Sequence, residues 1–510
     1  MVAGREPGPK VNLQAGEVQR NPMGAGMTLR ERGARGLAIL TVLKVSATAT
    51  ARFTAIILAI LLSPEDFGLF AVASVFVGTL TLLADVGLGT ELVRRSDPSQ
   101  ETLEAAFTIR IGLAGAIMAA TPLLGAFVAW AYKEPRFALL IPIATLPLLA
   151  FAVTFPSRVL ALQRLQFGRA AIPDQAAKFV APFAAIGFAL FGLSYWSFPL
   201  SALLASVVAI ALFQIAVPWR PRLRFNRAIS RNLITFGSFI MLTSLARFIA
   251  SSVDVAFVGL FGGAAAAGLY VVASSWGIFL SSSLSGLISD VTYPLFAKIR
   301  DSKERLGRAL RLAIRYYGGV SAYLSFGVLL FAPRFVLTIL GASWEASILP
   351  MQILCVSGLL IGLSGTLFDA LIAAGEPKEV FAISLLAVAI LAIGLPFGIL
   401  RGGLVGAAIV LDASSGVPVL LGLWLVGKRL SLHPTSLVQP FAKPLAAAVV
   451  SVSILFQVER SVGLGLTEFC LLIGFYSILY AALLAVLTRG SAIREGRDLI
   501  HLVLAKPGPK

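Results

Sequence analysis

The feature that most limits what this chain can fold into is a series of apolar stretches, each about as long as a helix needs to cross a bilayer, roughly 20 residues. They lie approximately at 36–62, 68–91, 105–131, 137–160, 171–193, 195–217, 232–260, 268–297, 309–332, 347–374, 380–400, 403–427, 443–458 and 467–488. Hydrophobic residues make up 58% of the 510, and charged residues only 13%. Soluble domains carry roughly 25% charged residues. A single soluble core has no room for this much apolar surface, and a bilayer removes the need to hide it. The expected fold is all-α: a polytopic membrane protein of about fourteen transmembrane helices. The stretch 443–458 is the shortest and the weakest of these spans.

Chemistry at the span boundaries agrees. Ser63-Pro64-Glu65-Asp66 follows the first span. Ser63 suits an N-cap, Pro64 the first helical position, and the two acids the positive end of a helix. This segment is expected to start the second span.

Lysine and arginine in short loops set orientation. One side collects Arg30, Arg32 and Arg35, Arg94 and Arg95, Arg164 and Arg169, a run from Arg220 to Arg231, another from Lys298 to Arg308, Lys428 and Arg429, and Arg494 and Arg497. The other side has Lys133, Arg136, Arg334, Arg401 and Arg460. Both termini are therefore expected in the cytoplasm, with an even number of spans. This asymmetry accounts for much of the net charge of +17, so nucleic-acid binding is not needed to explain it. Residues 1–30 are polar, without the apolar core of a signal peptide, and read as a cytoplasmic tail. Cys355 and Cys470 fall inside apolar runs, and His433 and His501 are far apart. Neither pair suggests a disulfide framework or a metal site. No cofactor is expected.

An internal repeat is visible. Ala51-Arg52-Phe53-Thr54-Ala55 in the first span matches Ala246-Arg247-Phe248-Ile249-Ala250 in the seventh, 195 positions on. Gly68-Leu69-Phe70-Ala71-Val72-Ala73 matches Gly268-Leu269-Tyr270-Val271-Val272-Ala273, 200 positions on. The second copy thus has five extra residues, expected in the Gly/Ala-rich stretch 262–268. Six spans separate equivalent helices, so both copies enter from the same side, as parallel repeats do. The matched arginines make accident a poor explanation. The expected organisation is a basic cytoplasmic tail (1–35), a six-helix lobe (36–217), a basic cytoplasmic linker (218–231), a second six-helix lobe (232–427), two additional helices (428–488) and a cytoplasmic tail (489–510). The lobes are expected to surround a central cavity.

Ionisable residues inside spans are costly and are functional hypotheses by default. Lys44, Arg110 and Lys178 lie within about two turns of a cytoplasmic helix end, where their long stems can reach the interface by snorkelling, and a functional role stays equally open for them. Asp85, Asp290 and Asp369 lie near the same ends, where solvation or pairing with loop arginines accounts for them. Asp412 reads as a helix–helix hydrogen bond. Arg52 and Arg247 differ. Arg52 lies about 24 Å into its span at 1.5 Å per residue, too deep for snorkelling, and Arg247 is also at mid-span. Asp254 shares a face with Arg247 but stands about 10 Å further along. Two readings remain: buried ion pairs that lock helices together, or a water-filled cavity with cationic walls. The second requires an anionic passenger, and arginine's planar fork suits phosphate. The apolar walls suggest a passenger with a lipid or drug-like part.

Several motifs mislead. Gly422-Leu423-Trp424-Leu425-Val426-Gly427-Lys428 resembles a phosphate-binding loop, but Arg429 stands where Ser or Thr would ligate magnesium. Gly358-xxx-Gly362 and Gly402-xxx-Gly406 are close-packing patterns of membrane helices and do not establish a dimer. No GxSxG motif or large soluble insertion suggests an enzyme.

Leu58-Ala59-Ile60-Leu61-Leu62-Ser63-Pro64-Glu65-Asp66-Phe67-Gly68-Leu69 resembles the Wzx-type polysaccharide flippases, as does Asp85-Val86-Gly87-Leu88-Gly89-Thr90. Val253-Asp254 with Gly259, then Gly268-Leu269-Tyr270 and Ala273, resembles the seventh and eighth helices of that family. Its superfamily also holds multidrug and toxin extrusion transporters and lipid II flippases. The resemblance covers most of residues 36–430 in layout. It implies a flippase of the bacterial inner membrane moving undecaprenyl-pyrophosphate-linked oligosaccharide for exopolysaccharide, capsule or lipopolysaccharide biosynthesis. The diphosphate would meet Arg52, Arg247 and Lys44, and Asp254 would couple transport to an ion gradient. Membrane lipids and the polysaccharide polymerase machinery are the implied partners. A multidrug antiporter of the same fold is the alternative, but cationic drugs call for carboxylates in the cavity. A polymerase or scaffold of the pathway fits poorly, because the non-cytoplasmic loops are short.

Overall fold

The computed structural model describes residues 29–89, 92, 100–164, 166–220, 222–224, 226–459 and 465–488. Among the described residues there are helices and no strands. In chain order they are α1 (Leu29–Leu61), α2 (Pro64–Asp85), α3 (Gln100–Ala131), α4 (Phe137–Thr145), α5 (Pro147–Gln163), α6 (Phe167–Leu190) and α7 (Ser197–Ala216). Then follow α8 (Arg227–Gly277), α9 (Phe279–Ile299), α10 (Lys303–Phe335), α11 (Ile348–Ala373), α12 (Pro377–Leu430), α13 (Pro434–Glu459) and α14 (Leu466–Leu487). Ten helical segments are long and apolar enough to cross a membrane, and a shorter apolar stretch, Ser46–Leu61, lies in α1. The chain is a multi-pass membrane protein. Arg94, Arg95, Arg460, Arg494, Arg497 and most of the expected tails lie outside the described residues. α1 begins at Leu29, inside the segment expected as a tail.

Ser63 caps α2 as its sequence predicts. Its hydroxyl accepts the Asp66 amide, and the Asp66 carboxylate accepts the Ser63 amide at 3.1 Å. This reciprocal capping satisfies two amides that a helix start leaves open. α2 ends earlier than the expected span, at Asp85, where Val86 and Gly87 take left-handed φ values of 45° and 61°.

α8 and α12 are helical hairpins. Each runs through one glycine whose φ is positive: Gly263 at 85° and Gly403 at 55°. Glycine takes such angles without a Cβ penalty. The two arms then fold back on each other. Tyr270 reaches Asp254 across the first turn, and Gly398 meets Gly406 backbone to backbone across the second. The five extra residues of the second repeat therefore form no loop. Ala264–Gly268 are already helical. One glycine reverses the chain, and the alanines that follow favour helix. The span expected as continuous over 268–297 is interrupted at Ile278, between α8 and α9. The weak stretch 443–458 belongs to a 26-residue helix, α13. Its first turns carry Pro440, Lys443 and Pro444, which depress an apolar reading without preventing helix.

Repeat-equivalent glycines hold the two halves together. A Cβ on Gly68 would collide with Ala264 O and Gly268 N, and a Cβ on Gly268 with Pro64 O and Gly68 N. The two positions face one another, as equivalent residues do beside an axis relating two copies. Elsewhere the same pairing continues: Gly78 receives the Phe248 ring, and Gly237 packs on the Val86 carbonyl. The close-packing glycines of α11 are likewise intramolecular, with Gly358 against the Gly277 and Ile278 carbonyls and Gly362 against the Tyr317 hydroxyl.

Aromatic rings seal the same end of the bundle. Phe67 stands edge-on to Phe198 and Trp344, at centroid distances of 5.3 and 5.2 Å. Trp344 is fully buried, and its Nε1–H donates to the Ala59 carbonyl at 2.8 Å.

We expect Gly268→Ala to lower the apparent melting temperature of the detergent-solubilised protein. The added methyl has to push apart α2 and α8. Gly416→Ala, whose Cβ would meet nothing within 4 Å, is the control and should leave the midpoint unchanged. Differential scanning fluorimetry of both variants checks this.

Candidate functional site

The sequence singles out Arg52, Arg247, Lys44 and Asp254. Arg52 projects from α1 and is partly buried. Its Nη1 donates to the Ser275 carbonyl at 3.4 Å, across 223 residues of sequence. Ser275 lies in the last turn of α8, just before the interruption at Ile278. Carbonyls in a last helical turn lack intrahelical donors, so an interrupted helix offers acceptors at membrane depth. The bond joins the first repeat to the second.

Arg247 lies on the first arm of α8 and is exposed. Thr243 and Ser251, four residues to either side, are exposed with it. Residues four apart share a helix face, so these three form a polar stripe with a cation at its centre. Charge in hydrocarbon costs at least about 2.5 kcal/mol, so an exposed arginine at mid-helix calls for water or an anion beside it. Lys44 is on α1, and its side chain lies outside the described residues.

Asp254 does not share the environment of Arg247, although seven residues place it on nearly the same face. It is 8% exposed. Tyr270 donates its hydroxyl proton to Oδ2 at 3.0 Å, while Oδ1 has no hydrogen-bond partner among the described residues. The physical reason is the hairpin. Its register pairs 254 with 270, so the second arm covers Asp254. By the same register Arg247 is level with Gly277, where that arm ends. Asp412 on the second arm of α12 accepts the Ser357 hydroxyl of α11, the helix–helix bond expected for it. The second half thus holds two carboxylates on separate hairpins, each accepting a hydroxyl, Asp254 from Tyr270 and Asp412 from Ser357.

Other charged residues behave differently from their reading in sequence. Arg110 does not snorkel. It is 2% exposed, pairs with Asp85 at 2.6 Å and lies between the Phe151 and Phe155 rings, each 4.4 Å away. The loss of water is offset by a carboxylate and two ring faces. Asp85 accordingly pairs with a span residue rather than with a loop arginine. Thr292 donates to Asp369 at 3.3 Å, and the Asp290 side chain lies outside the described residues.

Arg158 and Asp174 escaped the sequence reading altogether. Arg158 Nε and Nη2 donate to Asp174 at 3.1 and 2.6 Å, a two-pronged pair between α5 and α6. Together with Lys178, Thr81 and Ser206 they line a cavity of about 400 Å³ in the first half. Arg158 follows an apolar run with no local carboxylate, and its partner is sixteen residues away. The one available signal was a span holding an arginine and the next holding an aspartate. No group of His, Cys, Asp and Glu that could hold a metal ion occurs among the described residues.

Comparison with known proteins agrees with this architecture. The family described as "Polysaccharide biosynthesis protein" matches residues 57–349. The chain is 25% identical to the lipopolysaccharide biosynthesis protein WzxC of Escherichia coli (strain K12) over 345 residues, 66% of this chain and 68% of that one. It is 25% identical to the succinoglycan biosynthesis transport protein ExoT of Rhizobium meliloti (strain 1021) over 380 residues, 72% of this chain and 75% of that one. Among solved structures, the lipid II flippase MurJ in an inward closed conformation superposes with a TM-score of 0.70 at 12% identity, covering 89% of this chain and 99% of that one. An inward-facing multidrug resistance transporter of the MATE family follows at 0.51 and 17% identity, covering 80% and 96%. These likenesses show a shared fold. With more than half its length matched, the chain belongs to the polysaccharide biosynthesis protein family.

Proposed function

We propose that the protein is a flippase, carrying an undecaprenyl-pyrophosphate-linked oligosaccharide across the bacterial inner membrane, with both termini in the cytoplasm. Membership of a polysaccharide biosynthesis family supplies the process. The observation that carries the cargo assignment is the pair of repeat-equivalent arginines. One bonds across the halves, and the other is exposed at mid-helix.

In the structure Arg52 is held by a neutral carbonyl at the long distance of 3.4 Å. A diphosphate offers shorter, charge-assisted and two-pronged bonds. It displaces the carbonyl, gathers Arg52, Arg247 and Lys44, and removes a tie between the halves. Lobes 36–217 and 232–427 then rock about the bound head group in alternating access. A ligand shifts such an equilibrium only by its difference in affinity for the two states. Here the difference is the exchange of Ser275 O for phosphate. Asp254 is proposed to couple this motion to an ion gradient, with Tyr270 as its hydrogen-bond donor. The polymerase machinery would consume the cargo on the far side.

The alternative, an ion-coupled drug antiporter of the same fold, is less well supported. A cationic drug needs an accessible carboxylate. Arg247 is exposed at mid-helix, whereas Asp254 is buried beneath Tyr270 and the cavity carboxylate Asp174 is already paired with Arg158.

We expect Arg52→Ala and Arg247→Ala each to cut polymer export at least tenfold in cells lacking the native gene, a loss of about 1.4 kcal/mol or more in cargo handling. Membrane levels of the protein should be unchanged by immunoblot. Export at the wild-type level in both variants would overturn the anionic-cargo reading. For Asp254→Asn we expect transport to lose its response to dissipation of the proton or sodium gradient. A variant as sensitive to ionophores as the parent removes Asp254 from coupling.

A further inference from the structure

We propose that a groove between α10, α13 and α14 is a binding site for an anionic phospholipid, separate from the Arg52–Arg247 site. The proposal rests on two adjoining cavities that share one residue. The first, about 430 Å³, is lined by Arg308, Arg311, Arg315 and Lys443, together with Ser436 and Gln439, and by no carboxylate. The second, about 340 Å³, is lined by Gly319, Val320, Tyr323, Pro444, Tyr480 and Leu484 among others. Arg315 lines both.

The order of these residues along their helices matches the anatomy of a lipid. Arg308, Arg311 and Arg315 lie on one face of α10, three and four residues apart. Lys443 approaches from α13. All four are at the end of the bundle that the arginine distribution assigns to the cytoplasm. One and two turns deeper the lining becomes aromatic and aliphatic. The two deeper tyrosines have their hydroxyls engaged: Tyr480 donates to the Gly319 carbonyl at 2.6 Å, and Tyr323 shares a 2.7 Å bond with Ser477. The rings of Tyr323 and Tyr480 therefore present apolar faces, suited to a hydrocarbon chain.

Like charges at this spacing repel. Glu304 answers Arg308 at 2.9 Å, at an exposed position outside the cavity lining. A phosphate reached by Arg311, Arg315 and Lys443 would lower this repulsion further, since arginine and lysine both favour phosphate oxygens. Juxtamembrane basic clusters attract anionic lipid head groups in the same way. A free phosphate would use the cationic part and leave the apolar slot empty. A lipid uses both.

Native mass spectrometry of the purified full-length protein in detergent tests this, titrating phosphatidylglycerol and phosphatidylcholine of identical chains. We expect phosphatidylglycerol to be retained at least tenfold more tightly. The double variant Arg311→Gln/Lys443→Gln should lose that preference. Gly319→Leu, which grows into open space, should weaken retention of both lipids by filling the slot, and it keeps the test available where the charge variant misfolds. Equal retention of the two lipids by the wild type, or an unchanged preference in the double variant, overturns the proposal. So does displacement of the phospholipid by equimolar inorganic phosphate, which marks an anion site. Tighter binding of undecaprenyl phosphate than of phosphatidylglycerol also overturns it, because the groove would then serve cargo.

Discussion

Arg52 is held by a carbonyl that belongs to the other half of the chain. Much of the architecture is arranged so that this contact exists. A guanidinium near mid-bilayer needs an acceptor, and regular helices leave no carbonyls free in their interiors. Interruption of the eighth expected span at Ile278 places Ser275 in a terminal turn. The hairpin turn at Gly263 brings that turn back level with Arg247. Arg52 thereby bonds to the end of the same hairpin whose first arm carries Arg247, its repeat-equivalent 195 positions on. The tie is long and neutral, the kind of bond that an anion replaces readily.

Close backbone packing supplies the frame around this tie. Gly68 and Gly268 meet at one end of the bundle, and their contact leaves no room for a methyl group. Phe67, Phe198 and Trp344 close the same end with edge-to-face rings. Arg52 and Arg247 lie away from that seal. A protein that rocks about a bound head group needs a tight contact that can separate and re-form. Small residues at a helix crossing meet that need, because they gain packing without interlocking side chains.

Apolar length, caps and repeats were legible in the sequence because each is a local pattern. Ser63 caps α2 with the residue types that capping chemistry requires. The matched arginines and glycines pointed to two copies of one unit, and the glycines proved to be in contact. What the sequence concealed was partnership over distance. Arg110 and Lys178 read alike as snorkelling cations. One is packed between Phe151 and Phe155 against Asp85, and the other lines a cavity beside Arg158 and Asp174. Asp254 and Arg247 share a helical face, yet one is buried and the other exposed. Helical periodicity records a face but not how far along the helix its cover extends. The turn at Gly263 was likewise invisible as a turn, because one left-handed glycine replaced the loop that five extra residues suggested.

Uptake of the cargo phosphate by Arg52 and Arg247 can be measured. Its most direct test uses proteoliposomes containing a fluorescent undecaprenyl-diphosphate-linked oligosaccharide, with arrival in the outer leaflet read by a membrane-impermeant lectin. The wild type should translocate the lipid, and Arg52→Gln/Arg247→Gln should slow it to the rate of protein-free vesicles. Equal rates for the double variant and the wild type would mean that the two arginines do not hold the cargo.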